Sequence, residues 1–165
     1  MKKIFLCFAA ILLSAPAGLL AQSRTHDIPV EQLPSSVKQV LEQYIEVLRS
    51  SPSLDECAAR FVDVAGGSLV NEDGQTLRSS VKPYSLKKDF ENIKFYAQPL
   101  KISRVNANPI ASSSGFGPSA IRGKVYKIWI DKAAGQAGIP APISIMIPEG
   151  HESIKTPKVV SIGSL

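Results

Sequence analysis

The sequence predicts an α+β fold: three N-terminal helices packed on a curved, mostly antiparallel sheet. Apolar residues recur at spacings of three and four before residue 100 and at a spacing of two after it. Helices therefore come first and strands last, the order of an α+β domain rather than of alternating βαβ units. Apolar content of 44% with 20% charged residues matches an ordinary globular chain rather than a disordered or membrane one.

Residues 1–21 stand apart from that pattern. Lys2 and Lys3 precede an unbroken apolar run over 4–13, and Ser14, Ala15, Pro16, Ala17 and Gly18 follow it. A positive start, an apolar stretch and a small-residue end are the parts of a secretory signal. No charge appears over 4–23, but Pro16 and Gly18 interrupt that longer stretch, and its strongly apolar part is about half the length that a bilayer span needs. Cleavage is expected between Ala21 and Gln22, which leaves an extracytoplasmic (periplasmic or secreted) protein without a stable membrane anchor. Cys7 lies inside the apolar run rather than after it, so no lipid anchor is expected.

Residues 22–32 read as a flexible lead-in, and 33–165 as a single domain. Over 35–49, Val37, Val40, Leu41, Tyr44, Val47 and Leu48 form one helical stripe. A second helix begins at Ser53-Leu54-Asp55-Glu56, a capping box, and carries Leu54, Cys57, Ala58, Phe61 and Val62 on one side. Ala65-Gly66-Gly67 ends it. Residues 68–70 read as a short extended piece and Asn71-Glu72-Asp73-Gly74 as a turn. A third helix is expected over 85–96, with Leu86, Phe90 and Ile93 facing inward and Pro99 beyond its end.

Strands follow over 100–106, 121–131, around Ile143, Ile145 and Ile147, and over 158–165. Residues 107–119 read as a polar loop and 133–140 as a loose connection. In the long strand, Arg122, Lys124, Tyr126, Ile128 and Ile130 share one face; Ile121, Gly123, Val125, Lys127 and Trp129 share the other.

Charge and cysteine content exclude several functions. Of 19 basic residues, Lys2 and Lys3 leave with the signal, so 17 face 14 acidic ones, a net charge of +3. Those cations are scattered rather than gathered in a stripe, which argues against a nucleic-acid partner. Cys57 remains as the lone thiol, so no internal disulfide forms, and about 144 residues bury a sufficient core without one. Its helical position predicts a buried, inert thiol.

Three stretches carry a family likeness: Val40-Leu41-Glu42-Gln43-Tyr44, the run from Asp89 to Tyr96, and the closing Pro157-Lys158-Val159-Val160-Ser161-Ile162-Gly163. Together with the element order, they make the chain resemble small exported bacterial members of the nuclear-transport-factor-two-like superfamily, also called the ketosteroid-isomerase-like cone. The resemblance implies helices on the concave side of the sheet, a pocket at the open end and dimerisation through sheet faces. A cystatin-like sheet wrapped on a helix is the rival architecture, but the Gln-x-Val-x-Gly loop of cystatin-type inhibitors is missing.

Tyr44, Phe61, Phe90, Tyr126 and Trp129 are the aromatics expected to line such a pocket, with burial in the core as the alternative for each. Enzymes of the resembled family use a carboxylate base and hydrogen-bond donors that include a Tyr. Asp63 and Asp131 are the candidate bases here, and Tyr44, Tyr84, Tyr96 and Tyr126 the candidate donors. None sits in a motif that assigns it a catalytic role. His26-Asp27 and His151-Glu152 are sequence neighbours, which rarely converge on one metal, so both histidines read as solvated surface. No cofactor is implied.

The expectation is thus an exported noncatalytic module that binds a small molecule or a protein partner. An isomerase or hydratase using the same pocket and a structural envelope component are the alternatives.

Overall fold

The computed structural model describes residues 25–165, so the expected signal segment and its cleavage site lie outside the described residues. Among the described residues, no helix is long and apolar enough to cross a membrane.

Among the described residues the architecture is α+β, with three α-helices and a mostly antiparallel six-stranded sheet. One element departs from the expected order: the first is a strand, β1 (His26–Ile28), inside what reads locally as a lead-in, so the helices follow a strand. β1 pairs antiparallel with β2 (Ile102–Ala107), where Asp27 lies opposite Asn106. The Asp27 carboxylate accepts from Arg104 at 2.9 Å and from Asn106 at 3.2 Å. Those partners are remote in sequence, so no local periodicity marks the strand.

After a short turn at Val30–Gln32 comes α1 (Ser35–Ser50). Its whole apolar stripe is buried, and Pro52 follows its end. Helix α2 (Leu54–Phe61) starts where the capping box predicts, with the Ser53 hydroxyl accepting from the Glu56 N–H at 3.2 Å. The segment after α2 then docks on the sheet. Val159 N–H donates to Val64 O at 2.8 Å, and Gly66 N–H to Val159 O at 2.9 Å. This covers the outer edge of β6 (Lys158–Ser161), which would otherwise offer unpaired backbone groups.

The expected third helix is shorter and more irregular than its pattern. A wide π-type turn at Val81–Leu86 leads into α3 (Lys87–Asn92), and a 3₁₀ turn at Ile93–Phe95 closes it. Leu86, Asp89, Ile93 and Tyr96 form its buried stripe, while Phe90 is only partly buried.

The sheet order is β1-β2-β4-β5-β6, with β3 (Ser112–Ser114) pairing with the start of β4 (Ile121–Ile130). β3 lies inside the expected loop, where Ser114 Oγ accepts from the Ser68 N–H at 3.0 Å. β4 and β5 (Ala141–Pro148) pair in register along eight positions, from Gly123 opposite Pro148 to Ile130 opposite Ala141. β6 stops at Ser161, short of the expected residue 165. Gly163 adopts φ +94°, and the chain turns off the sheet to cross α3.

The inner face of the sheet, with Val105, Ile128, Ile130, Ile143, Ile145 and Val159, packs on the helices in one continuous core. The outer face carries a smaller cluster of Ile121, Met146 and Val160, against which Val125 and Ile154 pack.

Candidate functional site

The five aromatics expected at a pocket do not come together around a cavity. Tyr44 and Phe61 are fully buried and touch, their ring centroids 4.9 Å apart and tilted by 45°. Phe90 and Tyr126 are half-buried and pack on the main core. Trp129 lies across the sheet from them, on the outer face opposite Arg104, whose guanidinium sits 4.5 Å from the ring centroid. Among the described residues, five surface grooves of about 260 to 440 Å³ are lined mainly by helices and connections, with Lys158 of β6 in two of them, and none of the five aromatics contributes to them.

The most distinctive chemical group was not singled out by sequence pattern. Asp89, on the buried side of α3, is fully inaccessible. Its Oδ2 accepts from the Tyr44 hydroxyl at 2.7 Å and from Gly163 N–H at 2.9 Å, and its Oδ1 accepts from Leu165 N–H at 3.0 Å. Burial raises its pKa above the ordinary carboxylate value of 3.8, against the lowering effect of those three donors. Burial and the neighbouring carboxylate also push the Tyr44 phenol well up. With each oxygen already engaged, the pair ties α1, α3 and residues 163–165 together. It presents no acid or base to a ligand.

The expected bases lie elsewhere. Asp63 is exposed just after α2, and Asp131 is half-buried at the end of β4, where its backbone pairs with Lys101 and Ala97. Among the candidate donors, Tyr84 is 73% exposed and Tyr96 is buried, with the Lys132 ammonium 4.6 Å from its ring centroid. His26 is exposed on β1. His151 is half-buried at the surface, and its ring is hydrogen-bonded within the protein at both nitrogens.

A different place has the features of a ligand site. α1 and the turn that follows the third helix leave a groove of about 340 Å³ between them, at the small end of the range of about 300–1,000 Å³ usual for small-molecule sites. Ile45 and Leu100 supply apolar walls, Glu42 and Glu46 line the α1 side, and Gln98 adds an amide. At its end Arg49 reaches across. One guanidinium nitrogen donates to Ala97 O at 2.8 Å and to Tyr96 O at 3.3 Å. Among the described residues, no carboxylate comes within ion-pairing distance of that cation. The backbone carbonyls orient the guanidinium through one nitrogen, and among the described residues its other N–H donors have no partner and form a planar fork suited to a planar anion.

No family model, curated protein or solved structure matches this chain. The functional reading therefore rests on the geometry of these groups and on the chemistry of their side chains.

No sequence signal marks Arg49, since a cation in the last turn of a helix is an ordinary stabiliser of the helix dipole. Its reach to Tyr96 and Ala97 belongs to tertiary structure. Asp89 had a usable signal, since Leu86, Asp89, Ile93 and Tyr96 fall three, seven and ten positions along one stripe.

Proposed function

We propose that this chain is an exported, noncatalytic binding module of the nuclear-transport-factor-two-like cone class. In this reading its ligand is a small molecule with an anionic group and an apolar body, held in the groove between α1 and residues 97–100. Export is supported by the charged start and apolar run of residues 1–21. The cone class is supported by three helices packed on one face of an antiparallel sheet.

The observation that carries the binding reading is Arg49. It is braced by two backbone carbonyls, lacks a carboxylate partner among the described residues, and stands beside Ile45 and Leu100. A carboxylate seated there takes the guanidinium's free donors while its apolar part lies on the two aliphatic side chains. Binding is favoured over an isomerase-type enzyme because the buried carboxylate–phenol pair is sealed by chain contacts, away from the grooves.

Thermal unfolding in the presence of a panel of small carboxylates and zwitterions tests the reading. A true ligand at about 100 times its Kd stabilises the native state by about 2.7 kcal/mol. The expected result is a raised Tm, with amide NMR shifts gathered at Gln98 and Leu100 and both effects lost in Arg49→Gln. Ligand-induced shifts that are the same in Arg49→Gln, or no shift with any member of the panel, would overturn it. Mass spectrometry of the chain exported from a bacterial host tests the other half, with a mature N-terminus at Gln22 expected.

A further inference from the structure

The connection from β5 to β6 crosses the outer face of the sheet and is held by one imidazole. His151 Nδ1 accepts from two backbone N–H groups, Ser153 at 3.2 Å and Ile154 at 3.0 Å. Its Nε2 lies 3.2 Å from the carbonyl oxygen of Pro118, on the turn before β4. An acceptor at Nδ1 and a carbonyl facing Nε2 are compatible with one state of the ring only, the neutral tautomer with its proton on Nε2.

The same turn places Ile154 on the outer-face cluster, where it covers Ile121, Met146 and Val160. The second backbone group bonded to His151 is therefore that of the residue that closes the apolar patch.

We propose that His151 is a proton-operated latch: protonation of its ring releases the 151–154 turn, lifts Ile154 and uncovers the apolar cluster on the outer face of the sheet. An imidazolium has N–H groups at both positions and no lone pair to offer, so both backbone donors lose their acceptor at once. Pro118 O remains a suitable partner for Nε2–H, so the break falls on the Ser153 and Ile154 side.

Several charged groups lie around the ring. Glu149, Glu152 and Lys155 lie on its own connection, and the Lys155 ammonium bonds the His151 carbonyl. Glu72, Asp73 and Lys158 line the adjoining groove with Pro118 and Ile154, and Arg122 on β4 accepts from the Glu149 N–H through its backbone carbonyl. Among the described residues, none of their carboxylates forms an ion pair with the imidazole.

Two measurements on the full mature chain test the latch. The comparison runs from about pH 8 down to about pH 5, a range that spans protonation of ordinary imidazoles. Nitrogen chemical shifts of His151 at the upper pH are expected to report a proton on Nε2. Amide protection at Ser153 and Ile154, corrected for the pH dependence of intrinsic exchange, is expected to fall at least about tenfold from the upper pH to the lower. Protection at Val105 and Ile128 is expected to stay constant, and an apolar dye is expected to gain fluorescence in parallel. In His151→Ala the two amides are expected to exchange fast at every pH. A proton found on Nδ1, constant protection of the two amides across the range, or a loss of protection that persists in His151→Ala with the wild-type pH dependence would each overturn the latch.

Discussion

The hydroxyl of Tyr44 in α1 donates to the carboxylate of Asp89 in α3 at 2.7 Å, and neither side chain reaches solvent. Two N–H groups from residues 163 and 165 complete the shell around that carboxylate. A buried charge-bearing group is tolerated only when its hydrogen bonds are made, so each donor carries weight.

Removing the phenol hydroxyl in Tyr44→Phe leaves Asp89 one donor short and is expected to destabilise the fold by about 1.5–3 kcal/mol. Asp89→Ala leaves three donors without an acceptor and is expected to cost more than about 3 kcal/mol. Urea unfolding of both variants beside the wild type checks the order. A Tyr44→Phe loss equal to that of Asp89→Ala would show that the segment over residues 163–165 contributes nothing through its N–H groups.

Asp89 also sets a pH dependence of unusual sign for a carboxylate. Burial raises its pKa in the folded chain above the ordinary 3.8, so the fold holds the proton more tightly than the unfolded chain does. Its contribution is complete below about pH 3.8 and is lost as the pH rises through the folded value. The stability difference between wild type and Asp89→Asn is therefore expected to shrink from acid toward neutral pH, in urea titrations at a series of pH values. A difference that grows with pH would mean that the three donors outweigh burial. Asp27 has the opposite sign: the Arg104 hydrogen bond lowers its pKa, so β1 is expected to lose amide protection as the pH falls.

Cys57 is fully buried, and burial pushes its thiol pKa up to about 11. Thiolate is the reactive form, so the native protein is expected to resist thiol-specific reagents and to react promptly once urea unfolds it. Absorbance after adding an aromatic disulfide reagent reads both rates. Fast labelling of the native state would contradict the burial of α2 against α1.

Gly123 marks a close approach between β4 and β5. A Cβ built there would lie 1.8 Å from the carbonyl oxygen of Ile147, so any side chain must push the two strands apart. Gly123→Ala is expected to cost about 3 kcal/mol in urea unfolding, with the loss of protection spreading along the β4–β5 ladder. A neutral Gly123→Ala would mean that the two strands separate there without penalty.

Short-range rules were enough for α1, the start of α2, β4 and β5. The spacing of Val37, Val40, Leu41, Tyr44 and Leu48 declares a helix face wherever the chain folds, and Ser53 with Glu56 places a helix start from within four residues. In β4 the alternation of Tyr126, Ile128 and Ile130 likewise declares the side that meets the helices. The same rules fail wherever a partner lies far along the chain. β1 exists because Asp27 meets Arg104 and Asn106, and β3 because it meets β4 and Ser68. The groove depends on Arg49 meeting Tyr96 and Ala97.

Asp89 lies at the boundary between the two kinds of information. Its place on the α3 stripe follows from helical spacing, yet a scan for apolar residues passes over a carboxylate and selects Phe90 beside it. Burial of that charge-bearing group becomes acceptable only when Tyr44, Gly163 and Leu165 arrive, from 45, 74 and 76 residues away. Periodicity encodes which side of an element turns inward. Which polar groups meet there depends on long-range closure of the chain, because a hydrogen bond needs both of its ends in place.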